Sequence, residues 1–373
     1  MDRFEGRLGL QQRVLPAYRA PFFDALAAAC SGGLSVFAGQ PRSSEGIAPA
    51  AELKTARLVH TRNWNLLSGS FYLCYQPGLP AWLADWQPDV LILEANPRYL
   101  GAGRAIEWMH SRLRPVLGWG LGSPRPSGPL AGWRERSRRR LIRQFDALIT
   151  YSRKGADEYR AAGFPAEKIF IAPNAVTSRP TQPPPANPAA FSGQPLILFV
   201  GRMQERKRLD LLLRACAALP IPLQPRLWIV GEGPARGGFE SLARQVYPQA
   251  EFLGPRYGAE LESCFAAADL FVLPGTGGLA VQQAMAHGLP VVVSEADGTQ
   301  VDLVHAENGW QAVPGDLASL TAILREALSS PERLRQMGAA SYRIVAEEIN
   351  LENMVEVFLR AIASAFASFS RLR

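Results

Sequence analysis

The chain has 373 residues, 47% of them hydrophobic and 20% charged, a balance that excludes a disordered polymer. That length exceeds what one hydrophobic core organises, so two α/β domains of about 170 to 190 residues each are expected. The formal net charge of +7 is unevenly spread: residues 1–185 carry 24 Lys and Arg against 14 Asp and Glu, whereas residues 186–373 carry 16 against 19.

In chain order, the N-terminal MDRFEGRLGLQQR places charges where a signal peptide needs its apolar core. No later apolar run approaches the ~20 residues of a membrane span, so a cytoplasmic chain is expected. RLGLQQRVL reads as a strand, PAYRAPFFDALAAAC as a helix, and LSVFAG, PDVLILEA and RPVLGWG as further strands. RQFDALITYS and EKIFIAPNAV add two more around the helix SRKGADEYRAAG, which stops at Gly163. This alternation is the signature of a parallel sheet wrapped by helices. Residues 178–195 hold four prolines between Pro180 and Pro185 and no apolar periodicity, which makes them a semi-rigid linker. Beyond it the rhythm restarts with PLILFVG, a helical DLLLRACAAL, and the strands RLWIVGEG, AEFLG, DLFVLPG and LPVVVSE. Leu317 to Arg373 reads as helical throughout. The expected domains are 1–177, 196–350, and a terminal helix 351–373 that crosses back onto the first.

The chemistry-bearing signals sit in the second half. In ILFVGRMQERKRLDLLL a buried strand ends at Gly201, Arg202 follows at once, and Lys207 stands just before a helix. Two cations at the carboxyl end of a strand and beside a helix N-terminus form a site for a diphosphate; a solvated basic turn is the plain alternative. In DLFVLPGTGGLAVQQAMAHG a strand ends at Pro274 and a glycine turn with Gly275, Thr276, Gly277 and Gly278 opens a short helix at Leu279. Glycines let backbone amides approach an anion, although they also serve merely to reverse a chain. Gly231 and Gly233 of GEGPARGG form only a lone G-x-G, and Arg256 and Tyr257 follow AEFLG in what is by default a surface turn.

Together these segments resemble the donor-binding half of the GT-B glycosyltransferases, specifically glycosyltransferase family 4 (glycosyl transferases group 1). WIVGEGP, EFLG, AENGWQAVPGD and SPERLRQMGAAS extend the resemblance over residues 170–360; in the first half it rests on LPAYRAPFFDALA, PDVLILEAN and ITYSRKGADEYRAAGFPAEKIFIAPNAV. It implies two Rossmann-like doubly wound domains facing across a cleft, and retaining transfer from a nucleotide sugar, a UDP- or GDP-sugar, onto a glycan or lipid-linked acceptor in bacterial polysaccharide assembly. Arg202 and Lys207 would neutralise the leaving diphosphate without a metal or other cofactor. Gly201, Gly231, Gly233, Tyr257, Gly275, Thr276, Gly277, Gly278, Leu279 and Gln283 would surround the donor.

Two departures stand out. The family places glutamates eight residues apart across the glycine turn, and this chain has Gly275 and Gln283 there; Gln283 still accepts a hydrogen bond, but without charge. That leaves a non-catalytic, donor-binding partner of an active glycosyltransferase as the alternative. Many relatives also carry a histidine near the donor at a strand end of the first domain, where this chain has Trp119 or Gly120. Glu94, after PDVLIL, is the carboxylate at a strand end that would orient or deprotonate an acceptor hydroxyl; a solvated glutamate is its alternative. A nucleotide-sugar 2-epimerase shares the architecture but needs acidic and histidine clusters that the sequence does not offer.

Cys30, Cys74, Cys216 and Cys264 have no close pair, so they form neither a zinc site nor a disulfide framework. His60, His110, His287 and His305 show no ligand spacing. WRERSRRRLIRQF, if helical, groups Arg134, Arg138, Arg139 and Arg143 beside Trp133, Leu141, Ile142 and Phe145, a basic amphipathic segment suited to the inner face of an anionic membrane or simply to solvent. No recognition helix or stacking platform supports nucleic-acid binding.

Overall fold

The computed structural model describes residues 3–42, 45, 47–67, 69–128, 130–182, 191, 193–294 and 298–370. Residues 183–190 and 192 of the proline-rich stretch, Glu295 at the end of LPVVVSE and residues 371–373 of the terminal stretch lie outside them. The chain divides into two compact units, Met1–Val176 with Leu351–Arg373, and Thr177–Asn350.

The first unit is built on strands β1 (Leu8–Val14), β2 (Leu34–Gly39), β3 (Arg57–Thr61), β6 (Val90–Glu94), β7 (Val116–Gly120), β8 (Ala147–Thr150) and β9 (Ile169–Ile171), with a small antiparallel hairpin of β4 (Trp64–Leu66) and β5 (Leu73–Tyr75). The seven large-sheet strands are all parallel, in the order β3-β2-β1-β6-β7-β8-β9. β6 (VLILE) is apolar over four consecutive buried residues because helices cover both faces of the sheet. On one face Leu8, Leu10, Val90, Ile92, Leu117 and Ile149 meet the helices Ala20–Ala28 and Leu351–Ser370, the latter through Met354, Phe358 and Ile362. The other face packs Leu91, Leu93 and Leu148 against Trp82, Ile106 and Tyr159.

The second unit holds β10 (Leu196–Val200), β11 (Arg226–Val230), β12 (Ala250–Gly254), β13 (Leu270–Leu273), β14 (Val291–Ser294) and β15 (Gly309–Ala312), all parallel in the order β12-β11-β10-β13-β14-β15. Its core runs through Phe199, Leu212, Ile229, Phe271 and Val292. Two parallel Rossmann-like sheets make this an α/β protein of GT-B fold. The stretch from Leu317 is three helices, Leu317–Leu328, Pro331–Glu347 and Leu351–Ser370. The breaks follow local chemistry: Ser330 caps the second helix through its hydroxyl and Pro331 occupies its first turn.

Candidate functional site

In the second sheet the chain lays down β10, moves outward to β11 and β12, then returns to place β13 on the opposite side of β10. The strand order reverses between β10 and β13, and at such a point the loops leaving the two strands diverge and open a crevice for ligand. Both segments singled out in the sequence lie there: Gly201 and Arg202 leave β10, and residues 275–278 leave β13. Their loops are joined directly. The Thr276 amide donates to the Arg206 carbonyl (3.1 Å), an Arg206 guanidinium N–H donates to the Thr276 hydroxyl (2.7 Å), and the Lys207 ammonium donates to the Thr276 carbonyl (2.5 Å).

The glycines of this region explain themselves by close approach. A Cβ on Gly275 would stand 2.2 Å from the Arg206 carbonyl oxygen and 2.4 Å from the Lys207 carbonyl carbon, both backbone atoms that cannot swing aside. Gly231, at φ 140°, would bring a Cβ to 2.0 Å from the Gly201 carbonyl oxygen, and Gly233 to 2.4 Å from that of Met203. The lone G-x-G therefore closes the loop after β11 onto the loop after β10. Gly277, at φ 129°, leaves room for the Lys207 ammonium, and its carbonyl accepts from the fully buried Gln300 (3.1 Å). Leu279 starts the helix Leu279–Ala286, on which Val281, Gln282, Ala284 and Met285 are buried and Gln283 is partly exposed. Tyr257 sits apart from this group: it follows the edge strand β12, 79% exposed, beside an Arg256–Glu260 pair.

The first sheet reverses its order between β1 and β6, and Glu94 ends β6 there. It is not a solvated loop residue. One carboxylate oxygen is buried without a hydrogen-bond partner, while the carboxylate accepts from the Arg13 amide and the Tyr99 hydroxyl. Burial raises its pKa above the ordinary glutamate range, and those two bonds with the charges of Arg13 and Arg19 only partly oppose it. Beneath it, the Glu94 amide donates to Gln11 (3.3 Å), Gln11 to Gln76 (2.7 Å), and Gln76 to Asn63 (2.8 Å). Arg13 is paired with Glu45 at 3.0 Å. Gln11, Arg13, Arg19 and Tyr99 went unread as site residues, although Gln11 and Arg13 lie in the strand RLGLQQRVL and Arg19 in LPAYRAPFFDALA. Trp119 is 2% exposed, its ring wedged among Phe22, Phe358 and Tyr151 at centroid distances of 5.8, 4.9 and 5.5 Å. At the strand end where the resemblance implied a histidine at Trp119 or Gly120, Trp119 is a core aromatic and Gly120 ends β7.

Two family models match consecutive stretches: the glycosyl transferase 4-like domain over residues 13–175 and glycosyl transferases group 1 over residues 184–344, together most of the chain. The chain belongs to the group 1 glycosyltransferases.

This glycosyltransferase is 34% identical over 155 residues to a sulfoquinovosyl transferase of Arabidopsis thaliana, an alignment spanning 40% of this chain and only 29% of that protein. It is 25% identical over 351 residues to the D-inositol 3-phosphate glycosyltransferase of Gordonia bronchialis, covering 82% and 75% of the two chains. Among solved structures, Anabaena HepE in complex with UDP superposes with a TM-score of 0.72 at 17% identity, over 98% of this chain and all of that one.

Elsewhere in the glycosyltransferase, the basic segment forms the helix Ala131–Ile142, but its faces differ from the grouping expected. Leu141, Ile142 and Phe145 are drawn into the core, Arg138 donates to the Pro124 carbonyl, and Arg139 pairs with Glu135 (2.8 Å). The exposed stripe is instead Trp133, Arg136, Arg140 and Arg143. All four cysteines are buried thiols without disulfides, and burial pushes Cys30 up to about 12. Among the described residues no three His, Cys, Asp or Glu side chains gather closely enough to hold a metal ion.

Proposed function

We propose that this chain is a retaining glycosyltransferase that moves a sugar from a UDP- or GDP-sugar onto a glycan or lipid-linked acceptor in bacterial cell-surface or exported polysaccharide assembly. The donor belongs to the second unit and the acceptor to the first. The observation that carries this reading is the meeting of Lys207 with the turn 275–278 at the reversal of the second sheet, where Arg202 also leaves β10. As the bond from sugar to diphosphate breaks, negative charge collects on the leaving phosphate while the sugar becomes oxocarbenium-like. Cations and amides already in place stabilise that charge more in the transition state than in the ground state. The amides at the start of Leu279–Ala286 and the Lys207 ammonium beside them are such groups. No metal is part of this reading. Support for the donor class comes from HepE, whose solved complex contains UDP. Glu94 orients the acceptor hydroxyl or takes its proton.

The same reading brings the acceptor from an anionic membrane surface on the cytoplasmic side. Arg136, Arg140 and Arg143 have no ion-pair partner among the described residues, and with Trp133 (66% exposed) they line one face of their helix. Such a face favours acidic headgroups with an aromatic anchor. Among the described residues no helix is long and apolar enough to cross a membrane, so this contact is peripheral.

Gly275 and Gln283 favour a second reading, a donor-binding subunit that has lost turnover. Incubating the purified chain with UDP- and GDP-sugars and measuring donor hydrolysis or transfer separates the two. Turnover supports the enzyme, binding without turnover supports the subunit, and neither binding nor turnover defeats both.

A further inference from the structure

At the reversal of the first sheet, three buried polar atoms have no hydrogen-bond partner: Glu94 Oε2, Arg19 Nη1 and Trp119 Nε1. They are neighbours. The register sets Glu94 opposite Trp119 across β6 and β7, and the Arg19 guanidinium lies 4.9 Å from the Trp119 ring and 5.2 Å from that of Tyr151. Packing fixes where the two donors stand, because the Trp119 ring is locked by Phe22 and Phe358 and Arg19 is held over two aromatic faces. A buried polar group left unpaired is costly, so three in one place describe the complement of something that binds there. That complement needs an oxygen to accept from Arg19 and Trp119 and a hydroxyl to donate to Glu94.

Charge narrows the class further. Arg13 is already matched by Glu45, whereas Arg19 makes no contact ion pair among the described residues: its charge is felt at Glu94, and its nearest neighbours are aromatic rings. Arg19 also stands at the N-terminus of the helix Ala20–Ala28, so the positive end of that helix adds to the same field. A buried guanidinium in such a place takes an anionic oxygen, which its planar fork fits better than a neutral one.

We propose that Arg19 Nη1, Trp119 Nε1 and Glu94 form the acceptor subsite, and that the acceptor carries an anionic oxygen, carboxylate or phosphate, beside the hydroxyl that receives the sugar. This rests on the reading of Glu94 given above and extends it to the chemical class of the acceptor.

The test titrates the full chain, saturated with UDP so that the second unit's phosphate site is filled, with D-glucuronate, D-glucose 6-phosphate and D-glucose in a calorimeter. At least one anionic sugar is expected to bind tenfold or more tighter than glucose, and which one does so separates carboxylate from phosphate. Arg19→Gln is expected to weaken the anionic sugar roughly 10- to 100-fold and glucose little, with Arg19→Lys in between. Trp119→Phe removes the N–H donor together with part of the ring volume, for roughly a fivefold or larger loss. A thermal-unfolding profile matching wild type shows that each variant is folded in both units, since UDP reports on the second alone. Glucose binding as tightly as both anions, no binding of any of the three at their highest soluble concentration, or an anion preference that survives Arg19→Gln overturns the proposal. Failure of UDP to bind instead counts against the donor reading, and the same titrations without UDP still decide the subsite.

Discussion

Both sheets reverse their strand order beside the first strand laid down, β1 with β6 in one unit and β10 with β13 in the other, yet the two crevices are made of different material. In the second unit three loops close backbone on backbone through Gly231, Gly233 and Gly275, and the turn's carbonyls are met by Lys207 and Gln300. In the first unit side chains from separated segments converge, and three of their polar atoms stay unmatched. The difference teaches that one fold supplies two kinds of site. A cradle of backbone amides and cations fits an anion such as a phosphate, whereas converging side chains can be varied without disturbing the backbone.

The largest effects should come from breaking the cradle's charge. Arg202→Ala or Lys207→Ala is expected to lower kcat roughly 10²- to 10³-fold with UDP- or GDP-sugar saturating, measured as sugar transfer or donor hydrolysis. A loss confined to KM would mean that these cations hold the ground state only. Next is Glu94. If it works as a carboxylate, kcat/KM rises with pH along a limb displaced above the ordinary glutamate value of about 4.3, because burial raises its pKa. Glu94→Gln should cost about 10²-fold and flatten that limb. Stability runs the opposite way. A raised native pKa means that the folded state holds the proton more tightly, so stability is greatest below the unfolded value and falls as pH rises through the folded one. Glu94→Gln should remove that part of the slope in pH-dependent denaturation.

Smaller effects sharpen the contrast between backbone and side-chain construction. Gly275→Ala should destabilise the second unit by about 1–3 kcal/mol, read as a lower midpoint of thermal unfolding, since its Cβ meets the backbone of Arg206 and Lys207. Gly275→Glu, which restores the family's acid in name, should do worse. Smaller again, Arg136→Gln, Arg140→Gln and Arg143→Gln should each weaken sedimentation with acidic liposomes about fivefold, about 1 kcal/mol apiece, and leave donor hydrolysis in solution unchanged. Equal pelleting of wild type with acidic and neutral liposomes would remove the membrane contact.

How far the sequence could be read follows the same divide. PLILFVG, RLWIVGEG and DLFVLPG announced their strands because buried parallel strands are continuous apolar runs, and Arg202, Lys207 and residues 275–278 announced a site because they are local and adjoin those runs. β3, with only partly buried or exposed residues, and the exposed β4 offered no such run and went unread. Gly275 read as a lost acid; only the backbone of Arg206 and Lys207 pressed against it shows why a side chain is excluded. The first unit's polar cluster stayed hidden because Arg19, Glu94, Tyr99 and Trp119 become neighbours only through strand pairing and packing. The arginine run read as one basic patch, whereas helical phase and the pull of Leu141 and Ile142 into the core split it into paired and exposed members.

If the reversal of the second sheet grips a diphosphate through Arg202 and Lys207, calorimetric titration of UDP and GDP into wild type, Arg202→Ala and Lys207→Ala shows it most directly. Saturable binding of at least one nucleotide by wild type and a loss of tenfold or more in each variant are expected. Binding unchanged in both variants, or none by wild type at millimolar nucleotide, would contradict it.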